Sequence, residues 1–597
     1  MNITSDNTNI TKIAARLEER LLAQRNHRGT WDGCLSGSAL STAVAVFALW
    51  LYDREAYQTY IQKGLQWLAA NSNADGGWGD TVKSSSNMST TLLCWAALAM
   101  VEDDPTCQKT IHGAEKWLLK RLPSLAPEKI SKSILDHYQD DQTFSVPILA
   151  MCALAGRLGP DGWDKVPQLP YQLAVLPDRC FKWMNLRVVS YAIPALIAIG
   201  LVKHNNSRQS PLMVGVNRWV QKKVLEVLAG KQPSNGGFLE ASPLTGFVLM
   251  SLVGAGQRQH DVCIRAAVFL EGAMRPDGSW PIDTNLTTWV TTLSVNALNA
   301  GTLKRMGKKQ RGRLITALLD QQFKQVHPFT RSKPGGWAWT HLPGGVPDGD
   351  DTSGALLALK KLAPDDPVVQ EAASHGLKWL LSIQNRDGGI PTFCRGWGKL
   401  PFDCSCPDIT AHALRAFIAW RESMEPSLQK RLNKAIEGML RYLAKSQQDN
   451  GAWLPLWFGN EQDDHHHNPV YGTAMVLLGL KEAQCKGYDQ VTEWITQGVA
   501  FLEAVQNPDG GWGGNKEVPS GIEETALALR ALAGNGKSNV VDKGTAWLVE
   551  KVNLQPDQPF PAAPIGLYFA SLWYYEEMYP LVFACAALND MNEALNN

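Results

Sequence analysis

The chain has 597 residues, too many for one ordinary core, so two domains are expected. Lysine plus arginine and aspartate plus glutamate balance at 57 each, which leaves no electrostatic footprint for nucleic acid or an anionic membrane. Eleven scattered cysteines and a polar opening from Met1 to Lys12 read as free thiols in a cytoplasmic setting, and no apolar run reaches the roughly 18–20 residues of a spanning helix.

In chain order, a repeat emerges. A weak copy ends at Trp31. A clear one runs from Gly64 through Trp67 and Asn71 to Asp75-Gly-Gly-Trp78. The apolar stretch Ala192 to Val202 follows, too short to span a membrane, so any membrane contact here is monotopic. Weaker copies end at Phe238 and Trp280. A helical run covers Gly354 to Leu362. The next copy runs from Gly376 through Trp379 and Gln384 to Gly388-Gly389, with Ile390 at the Trp position. Another links Gly438, Gln447 and Trp453. The last links Gly498, Gln506 and Trp512, followed by a helical run from Glu523 to Ala533.

One unit explains the rest. Apolar residues at 499, 502 and 505 make a helical stripe, and Asn507-Pro-Asp-Gly-Gly511 makes a turn in which glycine takes positive φ. Each repeat is therefore helix, turn, Trp, helix, with the Gln amide expected to cap the next helix and the Trp ring to stack on it. The copies fall in two stretches, roughly 20–285 and 320–560. The fold class expected is all-α, two α/α barrels of helix–turn–helix repeats. Tryptophan is abundant, 22 in this length, and the tryptophans of the repeats read as scaffold.

The chemistry concentrates in Asp348, Asp350 and Asp351. Three carboxyls within four positions cannot all ionise cheaply when buried together, so a proton stays on. By itself the cluster also reads as a turn with a helix N-cap, because Thr352 opens a helical run, or as a Mg²⁺ site. Asp463-Asp-His-His-His467 reads as an exposed loop. Cys394, Cys404 and Cys406 lack a paired Cys-x-x-Cys and read as small loop residues, not zinc ligands.

The repeats resemble the QW motif of the squalene and oxidosqualene cyclases. Gly335-Gly-Trp-Ala-Trp339 followed by Pro347-Asp-Gly-Asp-Asp-Thr352 resembles that family's aromatic segment and its Asp-x-Asp-Asp acid motif. The resemblance covers nearly the whole chain. It implies the βγ architecture of class II terpene cyclases: a segment 1–28 packing on the catalytic barrel, an inserted barrel 29–284, and a catalytic barrel 285–597. It makes Asp350 the acid, with Asp348 and Asp351 beside it. Cys406-Pro-Asp408-Ile-Thr-Ala-His412 resembles the family segment whose Asp and His hydrogen-bond to that acid, Asp408 also orienting and charging the imidazole.

Trp289, Trp339, Phe393, Trp457, Tyr471, Tyr191, Tyr568, Phe569 and Tyr575 match aromatic positions of the substrate cavity. Aromatic faces stabilise a carbocation without trapping it. Val44 and Leu572 stand where relatives carry a glutamate and a tyrosine, and the segment after Val202 is short where relatives carry a membrane-inserting helix.

The function implied is squalene–hopene-cyclase-like: protonation of a terminal alkene of squalene or a related polyprenyl chain, then cationic polycyclisation. Two alternatives stand beside it, a class II cyclase of a shorter prenyl diphosphate or meroterpenoid substrate and a non-catalytic isoprenoid carrier. No cofactor, metal or nucleic acid is expected. The expected partner is a hydrophobic isoprenoid, and the reading leaves room for a homodimer and for a peripheral place on the inner face of the membrane.

Overall fold

The computed structural model describes residues 3–102, 104–138, 142–176, 189–207, 214–554, 558–567 and 572–596. Two sets of inner helices each close a ring. Ala39–Asp53, Met88–Ala97, Gln142–Leu154, Val189–Asn205 and Ser242–Gly254 pack in sequence, the last against the first. Thr287–Ala297, Gly349–Leu362, Pro407–Arg421, Pro469–Gln484, Ile522–Leu532 and Tyr579–Asn596 form the second ring, closed by the contact of its first and last members.

Composition explains which helices go inside. Ala39–Asp53 is apolar on nearly every face and is buried all round. Pro426–Ser446 instead carries one stripe, Leu428, Leu432, Ile436, Met439 and Leu443, and presents it inward from an outer layer. Each ring has its own core, one drawn from residues 39–280, the other from 10–35 together with 289–588.

The repeat works as a set of hydrogen bonds. Trp512 Nε1 donates to the Leu502 carbonyl (2.8 Å), one of the orphan carbonyls that end its own outer helix. Its backbone N–H donates to Thr525 Oγ1 (2.9 Å) on the following inner helix. Gln506 Nε2 donates to the carbonyls of Gly510 (2.8 Å) and Val540 (2.9 Å). Gln447 does the same with Gly451 and Trp494.

The expected helix cap is therefore corrected. A helix N-terminus exposes donors, and an amide N–H cannot satisfy a donor; the glutamine serves carbonyls of the turn and of the next outer helix. The Trp ring does lie on that next helix. A Cβ at Gly544 would come within 2.5 Å of the Trp512 ring, so glycine makes the space. In the turns, Gly388 takes φ +95°, and a Cβ there would lie 2.2 Å from the Gly438 carbonyl oxygen.

Two of these bonds join residues far apart in the sequence. Trp31 N–H donates to Thr291 Oγ1 (3.1 Å), and Trp280 N–H donates to Thr42 Oγ1 (3.0 Å). The turn at Trp31 thus belongs to the ring that resumes at Thr287, while residues 39–280 close upon themselves. The helix Ile3–Ala23 packs on Tyr579–Asn596, where Asn589 Nδ2 donates to Glu18 (3.0 Å). Short strands bind the second barrel's rim: 390–391 pairs with 405–406, and 458–460, 565–567 and 572–574 form a three-stranded antiparallel sheet.

Candidate active site

The threonine that ties each repeat also sets a register. Two residues before Thr291, Thr352, Thr410, Thr473 and Thr525 stand Trp289, Asp350, Asp408, Tyr471 and Glu523. Each opens one inner helix of the second barrel. The sixth helix opens with Tyr579, whose hydroxyl accepts from Trp289 Nε1 (3.0 Å). The candidate residues are thus one ring, contributed by helix N-termini whose dipoles favour negative charge.

The aspartate cluster begins with a cap. Asp348 lies in extended backbone, and its Oδ1 accepts from the N–H groups of Asp350 (2.9 Å) and Asp351 (2.8 Å). The helix starts at Gly349, three residues before the run read from Thr352. The capping reading thus applies to Asp348 alone and leaves Asp350 free in the first turn. Its Oδ1 lies 2.5 Å from His412 Nδ1. Of the Asp350 side chain 13% stays accessible against 4% for His412, so the carboxyl, not the imidazole, offers a face to a ligand.

Asp348 and Asp351 are both buried. Burial pushes Asp348 up to about 7, with the neighbouring Asp350 charge in the same direction. Asp351 is pushed far above the usual carboxylate range by burial and then by Asp348. Asp348 Oδ2 and Asp351 Oδ1 are buried without a donor among the described residues, and the two carboxyls lie within reach of a shared hydrogen bond. A proton held by Asp351 toward Asp348 satisfies both, and the pair then carries one negative charge.

Asp408 differs from expectation. Its carboxylate receives Cys406 Sγ (2.6 Å) and makes no hydrogen bond to His412 or Asp350. The reason is local: Asp408 sits at the start of its helix beside Cys406, one turn before His412. Burial, then the Asp350 charge, push Asp408 up to about 7.

The aromatic residues form two groups. At the barrel mouth Trp289 lies 6.3 Å from His412, edge to face. Phe458, on the covering strand, stacks on Trp289 (6.5 Å, 13°) and meets Tyr471 (4.8 Å). Phe393 anchors the second group. It lies 6.3 Å from Trp339, 5.6 Å from Trp457 and 5.1 Å from Tyr191, and Tyr191 also stacks on Phe402 at 5.7 Å. The groups join through the Trp339 carbonyl, which accepts from the backbone of Thr288 and Trp289. A small pocket of about 40 Å³ is lined by Trp289, His412 and Tyr471 together with Arg415 and Arg530.

Tyr575 stands apart: its ring carries Lys83 Nζ at 4.2 Å, a face already taken by a cation. Tyr568 and Phe569 lie outside the described residues. Phe458, Phe402 and Tyr579 were missed in the sequence because they fall outside the repeats. Glu523 was legible through the threonine register, which the longer Gln–Trp pattern obscured. Asp463 accepts from the N–H groups of His465 and His467, a turn that fixes this histidine run as a loop. Cys394 packs with Phe393, while Cys404 and Cys406 bond to Gly398 and Asp408.

A closed pair of helical barrels is the architecture of class II terpene cyclases. Over 98% of this chain and 99% of the other it superposes on ent-copalyl diphosphate synthase from Streptomyces platensis, with a TM-score of 0.57 at 18% identity. The chain belongs to the squalene–hopene cyclase family: residues 286–590 match the squalene-hopene cyclase C-terminal domain, and residues 14–212 the N-terminal domain. It is 24% identical to the squalene–hopene cyclase of Alicyclobacillus acidocaldarius over 97% of both chains. It is 27% identical to a terpene cyclase–glycosyl transferase fusion protein of Humicola fuscoatra, over 81% of this chain and 42% of that one. It is also 27% identical to drimenyl diphosphate synthase of Streptomyces showdoensis, over 49% and 48%. The chain spans about half or less of the length of several such relatives.

Proposed function

We propose that the chain is a squalene–hopene-cyclase-like triterpene cyclase that protonates a terminal alkene of squalene or a related polyprenyl chain. The observation that carries this reading is the Asp350 carboxyl, held 2.5 Å from His412 in a mouth walled by Trp289, Phe458 and Tyr471. The barrel 285–597, joined by the turn at Trp31, is the catalytic unit, with the remainder of 29–284 inserted and 1–28 packed upon it. Contact with substrate and membrane is monotopic, from the cytoplasmic side.

In the step proposed, the Asp350 O–H bond breaks and a C–H bond forms at the terminal alkene carbon, leaving a tertiary cation. His412 then holds the new carboxylate. The single charge of the Asp348–Asp351 pair draws the developing cation without occupying Asp350. Successive alkenes add to the cation as it moves past the aromatic faces, each worth about 0.5–2 kcal/mol when desolvated. Loss of a proton or capture of water ends the sequence.

A shorter prenyl diphosphate is the competing substrate, favoured by the 27% identity to a drimenyl diphosphate synthase. Incubating the purified protein with squalene in detergent and D₂O, followed by mass spectrometry, separates the readings. A cyclised, deuterated hydrocarbon is expected. Product from geranylgeranyl diphosphate alone favours the diphosphate reading, and no product from either favours a carrier. Asp350→Asn is expected to abolish turnover with its melting curve unchanged; near-parental turnover overturns the assignment.

A further inference from the structure

The repeat turn leading to Asp408 carries a thiol whose two contacts the proposed chemistry does not use. Cys406 is fully buried. Its Sγ lies 2.6 Å from Asp408 Oδ1 and accepts the Leu456 N–H at 3.2 Å. The chain of bonds runs from Leu456 through the thiol to the carboxylate. Leu456 is the residue before Trp457, one of the rings packed on Phe393. Cys406 also pairs with Ile390 across the short antiparallel ladder, which fixes where the sulfur points.

We infer that Cys406 is a positioning residue: its thiol orients Asp408 and holds it in its charged form, and ties that charge to the turn bearing Trp457. The inference rests on the reading of Asp350 as the acid and of Asp408 as a charge behind it. The groups facing Asp408 are few. Asp350 approaches from its own helix and Tyr471 from the next. Tyr442 comes from the outer helix Pro426–Ser446, its hydroxyl donating to the Ser405 carbonyl (2.8 Å). His412 is one turn along the Asp408 helix. Asp350 is an acid and the tyrosines are pushed above their usual range, so among the described residues neither the acid nor the tyrosines lend Asp408 a positive charge. Among the described residues the thiol is the one side-chain hydrogen-bond donor the carboxylate has. Burial and the Asp408 charge keep that thiol protonated, as a donor must be.

The test compares Cys406→Ala, Cys406→Ser and Asp408→Asn by the pH profile of kcat/KM and by melting temperature, using whichever prenyl substrate is turned over. A donor bond to a charged group is worth about one decade, so in Cys406→Ala the acid limb of the profile is expected to move up by about one pH unit. Turnover near neutral pH is expected to fall about tenfold with KM little changed. Cys406→Ser restores a hydroxyl donor and is expected to bring the limb back. A parental profile in Cys406→Ala overturns the inference. So does a serine variant as slow as the alanine one with the limb unmoved, because that pattern marks packing alone. If Asp408→Asn turns over like the parent, the reading of Asp408 fails; if it is slow while Cys406→Ala is parental, only the role of the thiol fails.

Discussion

Replacing Asp348 by asparagine separates the two tasks this residue holds. Asparagine keeps the Oδ1 that accepts from Asp350 (2.9 Å) and Asp351 (2.8 Å), so the helix stays capped. Its amide also donates to Asp351 Oδ1, an atom that otherwise needs a shared proton. What disappears is the single negative charge of the pair. A unit charge about 6 Å from a developing cation, at an effective dielectric near 20, is worth roughly 3 kcal/mol. That corresponds to a turnover about 100-fold slower.

The pH profile adds a signature. Burial pushes Asp348 up to about 7, so the pair gains a second proton, and loses its charge, as pH falls through that value. Parental turnover is therefore expected to fall on the acid side of neutral. In Asp348→Asn that limb is expected to become shallower, keeping only the proton of Asp408, on a uniformly slower profile, while the melting temperature at pH 7 stays within the equivalent of about 1 kcal/mol. Single-turnover kinetics across pH 5–9 with thermal melts measure both. Parental turnover in the variant, or a loss of rate matched by a loss of stability, refutes the reasoning.

Two further outcomes are expected. Phe458→Leu removes the ring that stacks on Trp289 and meets Tyr471, and with about 0.5–2 kcal/mol of cation stabilisation gone it should slow turnover by roughly 3–30-fold; an unchanged rate removes Phe458 from the site. Glu523 is buried, its Oε2 has no partner among the described residues, and burial with Glu524 pushes it up from 4.5 to about 8. Between those values the folded chain holds a proton that the unfolded chain releases, so stability from this group is present below pH 4.5 and lost as pH rises toward 8. Glu523→Gln, which stays neutral, should melt with the parent near pH 4.5 and progressively higher than the parent toward pH 8. Parallel melting curves at all pH values contradict that burial cost.

The helix–turn–helix repeat was legible because its parts are local. A helical stripe, an Asn-Pro-Asp-Gly-Gly turn and a Trp ten residues after a leucine carbonyl all lie within about fifteen residues, and short-range spacing alone demands them. The three aspartates were legible for the same reason, since like charges within four positions must compete for protons wherever they are buried. The sequence also held the threonine register, which places Trp289, Asp350, Asp408, Tyr471 and Glu523 at one level.

The tertiary structure decided which partner each group took. The glutamine bonds to carbonyls of a neighbouring repeat, and no local pattern reports which polarity a distant backbone presents. His412, sixty-two residues away, reaches Asp350 because their helices are neighbours in the ring, while Asp408 turns instead to the adjacent thiol. Phe458 enters the mouth from a strand held by residues 565–567, and Lys83 of the first barrel covers Tyr575. Spacing along a chain fixes which side chains share a face; only the closure of the rings brings faces from different helices within the few ångströms at which a proton is shared or a cation is felt.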